Sequence, residues 1–197
     1  MEEQQLIARA KGGDFRAFME LIDAHKAKIF ALARRLAGNE QDAEDIVQES
    51  LLKAIDNIDT FRGEASFGTW LFSIALNESR GHLARQKRHG LRSIEEYLPS
   101  QDSSAVDSSA SQRLLEWDDP HSKLETEELQ RFIDQGLSDL PYIYREAFVL
   151  RYVEDLSVKE VAGMIGESEA ATKSRILRAR LALREYLARR FEVHHGR

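Results

Sequence analysis

From Asp14 to Ala37 the apolar residues Phe15, Phe18, Met19, Ile22, Ile29, Phe30, Ala33 and Leu36 recur at helical spacing. That spacing places them on one side of a helix and predicts an amphipathic element that Gly38-Asn39 ends. The pattern repeats in Ala43, Ile46, Val47, Leu51, Ala54, Ile55 and Ile58, which marks a second helix. After the turn-like Arg62-Gly63-Glu64, a third helix is expected from about Ser66 through Arg88, with Phe67, Leu71, Ile74, Ala75 and Leu83 as its apolar stripe. Three such helices suffice for a small bundle.

Between Ser100 and Ser111 the pattern stops. The run QDSSAVDSSAS has too little apolar content to join a core and reads as a flexible tether. Helical periodicity resumes near Lys123, where Leu124, Leu129, Phe132, Ile133, Leu137 and Leu140 supply a face that stops at Pro141. Further helices are expected over Tyr142 to Tyr152, Ser157 to Ile165 and Glu167 to Arg190. The expectation is an all-α chain of two small helical bundles joined by a flexible linker: a domain over 1–92, the linker over 93–121, and a second domain over 122–197.

The last two helices follow the plan of a helix-turn-helix, joined by a short turn at Gly166. Ser157 with Glu160 three residues on forms a capping box, and Ser168 caps the second helix. Val161, Ala162 and Ile165 face inward, with Ile176, Leu177 and Leu181 as the anchor of the second helix. Lys173, Ser174, Arg175, Arg178 and Arg180 are expected on its outer surface, suited to phosphates and base edges in a major groove. A solvated basic helix is the plainer reading. The cap-turn-cap order of a recognition helix favours DNA.

Composition sharpens this picture. With 31% charged residues and only 3 prolines, helix is favoured almost everywhere; with no cysteines, disulfides and thiolate zinc sites are excluded. Met1 is followed by Glu2 and Glu3 without a basic, apolar leader, and no stretch approaches the roughly 20 apolar residues of a membrane span, so the cytoplasm is expected. The net charge of −6 argues against a uniformly basic DNA-binding protein. Its distribution matters more: acidic residues crowd Glu40 to Glu49 and Glu116 to Glu128, basic ones Arg80 to Arg92 and Lys173 to Arg190.

Two features of the first domain go beyond a common regulator. Opposite the apolar stripe of DAEDIVQESLLKAID stand Asp45, Gln48, Glu49, Leu52 and Asp56, a polar patch with one aliphatic group, suited to a basic protein partner. Next, the aromatics Phe61, Phe67, Trp70 and Phe72 precede Asn77, Arg80, Arg85, Lys87 and Arg88. Rings beside cations suit single-stranded DNA, whose bases stack while its backbone follows positive charge. Each ring taken singly is as well explained by core packing.

DAEDIVQESLLKAI, FRGEASFGTWLFSIALNESRGHLARQKR, LPYIYREAFVLRYVEDLSVKEVAGMIG and SRILRAR, in that order, resemble the signatures of extracytoplasmic-function sigma factors, over nearly the whole chain except the Ser-rich tether. The resemblance implies a non-enzymatic subunit that directs RNA polymerase to promoters. It implies core RNA polymerase, promoter DNA and an anti-sigma factor as partners, with no cofactor. Carried over by position, Asp45, Gln48, Glu49 and Leu52 fall on the polymerase-binding helix. The loop residues Arg62, Gly63, Glu64, Ala65, Ser66 and Phe67 match the loop that captures a flipped minus-10 base, followed by Trp70, Asn77, Arg80, Arg85, Lys87 and Arg88 on the strand-binding helix. Ser168, Lys173, Ser174, Arg175, Arg178 and Arg180 match the minus-35 helix. Two departures stand out: Trp70-Leu71 replaces the paired tryptophans of primary sigma factors, and Ala170-Ala171-Thr172 stands where relatives often have Gly-Thr-Val.

A conventional helix-turn-helix regulator would explain the second domain but leaves the acidic face and the aromatic-to-basic helix without a purpose. A helical enzyme finds less support. His25, His82, His89, His121, His194 and His195 are scattered, without metal-ligand spacing or a phosphate-binding glycine loop.

Overall fold

A computed structural model describes residues 3–88 and 127–195, with side chains over 3–86 and 130–190. Among the described residues all regular structure is helical. The expected linker over 93–121 lies outside them. The chain divides into two compact units, Met1–Leu91 and Arg92–Arg197, each considered by itself.

In the first unit, α1 (Glu3–Lys11), α2 (Phe15–Ala37), α3 (Glu40–Asn57) and α4 (Phe67–Arg88) pack around α2, with a short 3-10 turn at Ile58–Thr60. The helix boundaries follow from local chemistry. Asp14 caps α2 by accepting from the amides of Arg16 and Ala17 at 3.0 and 3.1 Å. Gly38, at φ 83°, closes it in the left-handed conformation, and Asn39 at once caps α3 through the Asp42 amide at 2.9 Å.

The core is built from Phe18, Leu21, Ile22, Ile29, Leu32 and Leu36 of α2 against Ala43, Ile46 and Ala54 of α3 and Phe67, Leu71, Ala75 and Leu76 of α4. Phe15 and Met19, expected inside, are exposed. Phe15 opens its helix, where less chain covers it, and Met19 sits at the edge of the buried face, so Leu21 and Leu32 fill the centre. The periodicity also missed α1, which buries only Leu6 and Ala10, too short a signal to register.

Lys53 and Glu78 form a charged pair between α3 and α4. Lys53 Nζ donates to Glu78 Oε1 at 2.5 Å, and Glu78 is only 5% exposed. A carboxylate so deep needs its cation, since burying an unpaired charge costs far more than the pair returns.

The second unit contains α5 (Glu127–Asp139), α6 (Tyr142–Phe148), α7 (Val158–Ile165) and α8 (Glu169–His195), with α8 packed against the other three. At Gly136 α5 comes so close to α8 that a β-carbon would lie 2.6 Å from Leu183 Cδ1 and 2.8 Å from Tyr186 Cδ1. Buried Arg145 closes the turn between α5 and α6 by donating to the carbonyls of Ser138 and Leu140 at 2.5 and 3.1 Å. The single helix expected over Tyr142 to Tyr152 is α-helical only to Phe148 and continues as a turn of π-helix, Val149–Val153. Ala147 to Leu150 is apolar without a break, so the pattern there carries no period by which the π-turn would show.

Removing Lys53, itself exposed, tests what buried Glu78 needs. Lys53→Met is expected to destabilise the protein by about 1–3 kcal/mol, because Glu78 loses its partner. Adding Glu78→Leu is expected to recover most of that loss in denaturant unfolding. A double variant as unstable as the two single losses combined would contradict the pairing.

Candidate nucleic-acid and partner interfaces

The outer side of α3 carries Asp45, Gln48, Glu49, Leu52 and Asp56, all exposed, with Leu52 65% accessible. They lie three and four residues apart, and Ile46, Val47, Ser50 and Ala54 turn inward. The structure therefore gathers the predicted partner-binding residues into one acidic strip with an aliphatic centre.

The same helix begins with a polar clasp to α4. Asp42 lies 2.9 Å from His82 Nε2 and accepts from Gln86 Nε2 and Asn39 Nδ2, each at 2.7 Å. Partial burial pushes the Asp42 carboxyl up, but the bonds from Asn39, Gln86 and His82 outweigh it and hold it below the usual carboxylate range.

The loop before α4 carries Arg62, Gly63, Glu64, Ala65 and Ser66 at the surface, and Gly63 takes a φ of 74°, a conformation that favours glycine. Ser66 caps α4 by accepting from the Thr69 amide at 3.1 Å. Phe67, assigned with the loop to DNA, is corrected by the structure. It is 1% exposed and packs against Phe61, His25 and Trp70 with centroids 5.5–5.8 Å apart, so no ring face remains for a base. Trp70 is half-buried, 5.4 Å from Phe61, and keeps part of its ring accessible. Two turns on stands exposed Asn77, flanked by half-buried Arg80 and exposed Arg85. Lys87 and Arg88 continue the backbone of α4; their side chains lie outside the described residues.

A cleft of about 380 Å³ lies between this loop and α1, with Ile7 and Lys11 facing Phe61, Gly63 and Ser66. The sequence reading had no residue on the α1 side. With only two buried residues in α1, nothing in the pattern placed that helix against the loop.

In the second unit the helix-turn-helix is formed as its caps require. Ser157 and Glu160 complete a capping box, Gly166 turns at φ 73°, and Ser168 caps α8 by accepting from the Ala171 amide at 3.2 Å. Lys173, Ser174 and Arg178 are exposed on α8, and Arg178 Nη1 donates to the Tyr144 hydroxyl at 3.3 Å. Arg175 is half-buried: it pairs with Glu167 and lies 3.8 Å from the buried carboxylate of Glu146. Two expectations are corrected. Arg180 is 5% exposed and lies 5.8 Å from the Tyr152 ring centroid, inside the unit and not on its surface, whereas Leu181, expected as an anchor, is exposed. Because α8 packs on three helices, its buried face is wide enough to take in the Arg180 stem, and Ile176, Ala179 and Leu183 serve as the anchor.

Among the described residues no group of three His, Asp or Glu side chains is arranged to hold a metal ion, and no helix is long and apolar enough to cross a membrane.

Comparison with known proteins assigns both units. Residues 21–89 match Sigma-70 region 2, and residues 133–183 match Sigma-70 region 4. Similar proteins include the ECF RNA polymerase sigma-E factor of Haemophilus influenzae, 33% identical over 91% of this chain and 92% of the relative. The RNA polymerase sigma-H factor of Pseudomonas aeruginosa is 32% identical over 92% of each. Among solved structures, CnrH in complex with the cytosolic domain of CnrY is 28% identical over 94% of this chain and 97% of that one, with a TM-score of 0.63. The sigma factor RpoE of Bartonella quintana, in complex with the anti-sigma factor NepR, gives 0.62 at 25% identity over 87% and 96%.

Two helical units that carry sigma regions 2 and 4 define an initiation factor, not a free-standing regulator. The chain belongs to the ECF RNA polymerase sigma factors, which bind core polymerase and direct it to promoters.

The clasp on Asp42 has a pH signature. A carboxyl whose folded pKa lies below its unfolded value of about 3.9 adds stability that is fully present above that value and lost as pH falls through the folded one. The stability advantage of wild type over Asp42→Asn, measured by urea unfolding, is expected to shrink as pH falls below about 4. An advantage unchanged down to about pH 2 would contradict the clasp.

Proposed function

We propose that the first unit docks on polymerase through Asp45, Gln48, Glu49 and Leu52 of α3 and reads the melted minus-10 element through the loop at 62–66 and through Trp70, Asn77, Arg80, Arg85, Lys87 and Arg88 of α4. The second unit reads the duplex minus-35 element through Ser168, Lys173, Ser174 and Arg178, with Arg175 holding the recognition helix between Glu146 and Glu167. The observation that carries this reading is the Asp42 clasp, which fixes the acidic strip of α3 relative to the aromatic and basic side of α4. A subunit that couples polymerase docking to strand capture needs that rigidity.

The protein performs no catalysis of its own in this reading and acts in the cytoplasm, where polymerase is. An anti-sigma protein is a further partner, supported by the similarity to a sigma factor captured with NepR.

Two substitutions separate the surfaces. Glu49→Lys is expected to weaken core-polymerase binding with a change of no more than about 0.5 kcal/mol in stability, as befits an exposed site. Arg178→Ala is expected to leave polymerase binding intact and to lower transcription from promoters that need the upstream element. That loss corresponds to about 1–3 kcal/mol if the guanidinium meets a base, and to a smaller, sequence-independent loss if it meets a phosphate. Wild-type polymerase affinity in Glu49→Lys, or wild-type upstream recognition in Arg178→Ala, would overturn the corresponding assignment.

A further inference from the structure

Two side chains of α6 reach across to the recognition helix. Buried Glu146 lies 3.8 Å from Arg175, which also pairs with Glu167. Tyr144 is 7% exposed, and its hydroxyl accepts from Arg178 Nη1 at 3.3 Å. The two arginines lie about one turn apart on α8, so both can reach α6 from one side of that helix. They meet different chemistry there. Two carboxylates hold Arg175 and offset its charge, whereas a neutral phenol holds Arg178 and leaves its charge whole.

That difference suits different tasks. Arg178 is exposed on α8, and an exposed arginine has many rotamers, most of which turn its guanidinium away from any one base pair. Tyr144 gives it a fixed point of reference. Its ring is enclosed within the unit, so the hydroxyl has a set place, and the bond to Nη1 engages one donor and leaves the rest of the planar fork available. A phosphate does not require such orientation, because a lysine ammonium serves it as a point charge. A guanine edge does require it, because O6 and N7 accept from two donors held in one plane.

We propose that Tyr144 is a positioning residue for promoter selection, its hydroxyl holding the Arg178 guanidinium in the orientation that reads one G·C pair of the minus-35 element. This rests on the reading of Arg178 as a minus-35 contact and goes beyond it by naming the side chain that orients the guanidinium and the base pair it selects.

The test measures transcription by polymerase holoenzyme carrying each full-length variant, on promoters in which every minus-35 base pair is replaced in turn by the other three. At one position wild type is expected to favour G·C over A·T about fivefold or more, the scale of one bidentate contact, and Arg178→Ala is expected to lose that preference. Tyr144→Phe keeps the ring and removes the hydroxyl. It is expected to reduce the same preference about threefold, to leave every other position unchanged, and to have no further effect in the Arg178→Ala background. Thermal melting monitors the fold of each variant. If Arg178→Ala loses the preference and Tyr144→Phe keeps it, the positioning role is overturned while the reading of Arg178 stands. If Arg178→Ala keeps wild-type selectivity at every position, or lowers all promoters equally, the guanidinium selects no base and the proposal falls with it. A Tyr144→Phe loss that is equal at all positions, or of the same size with and without Arg178, would make Tyr144 a packing residue only and would also overturn the proposal.

Discussion

The first unit depends on α4 meeting two opposed demands along one 22-residue helix. Its inner side must be apolar enough to hold α2 and α3, and under the proposed function its outer side must stay polar and aromatic for a nucleic-acid strand. Phe67, Leu71, Ala75 and Leu76 meet the first demand as core residues. Trp70, Asn77 and Arg85 meet the second by standing wholly or partly in solvent. Packing alone would leave the axial position of α4 loosely specified, because apolar contacts have no direction. Lys53 with Glu78, and Asp42 with His82 and Gln86, supply the directional contacts that fix it against α3.

The second unit uses the same division of labour with other chemistry. The capping box at Ser157 and the left-handed turn at Gly166 set the angle at which α7 hands over to α8. Arg175, between Glu167 and buried Glu146, then holds α8 from the side and leaves Lys173, Ser174 and Arg178 outward. A cation spent on two carboxylates has less to offer a ligand than its exposed neighbours.

Much of this was legible in the sequence because capping and amphipathic spacing are local. The starts of α7 and α8 follow from Ser157 and Ser168, and the α3 strip follows from its spacing. Some of the failures involve contacts that the local pattern does not carry. Arg180 reads as a surface cation until Tyr152 is known to lie beneath it, and Phe67, read both as part of the apolar stripe and as a DNA-facing ring, is left with the first role once Phe61 and His25 are found around it. Helix α1 buries two residues and has no pattern to detect, yet it closes the cleft beside the loop. The family resemblance supplied the order of the surfaces, and the structure decided which side chains within them remain available.

The central claim is that the outer side of α4 engages melted DNA, and Trp70 tests it most directly. Stacking on one ring is worth roughly 1–3 kcal/mol, comparable to the cost of unstacking a base step, so removing the ring affects opening more than docking. With polymerase on an ordinary duplex promoter, Trp70→Ala is expected to give closed complexes and few open ones, and a template with a pre-formed bubble across the minus-10 region is expected to restore most activity. Equal failure on duplex and bubble, together with lost helicity, would make Trp70 a packing residue only and contradict the claim.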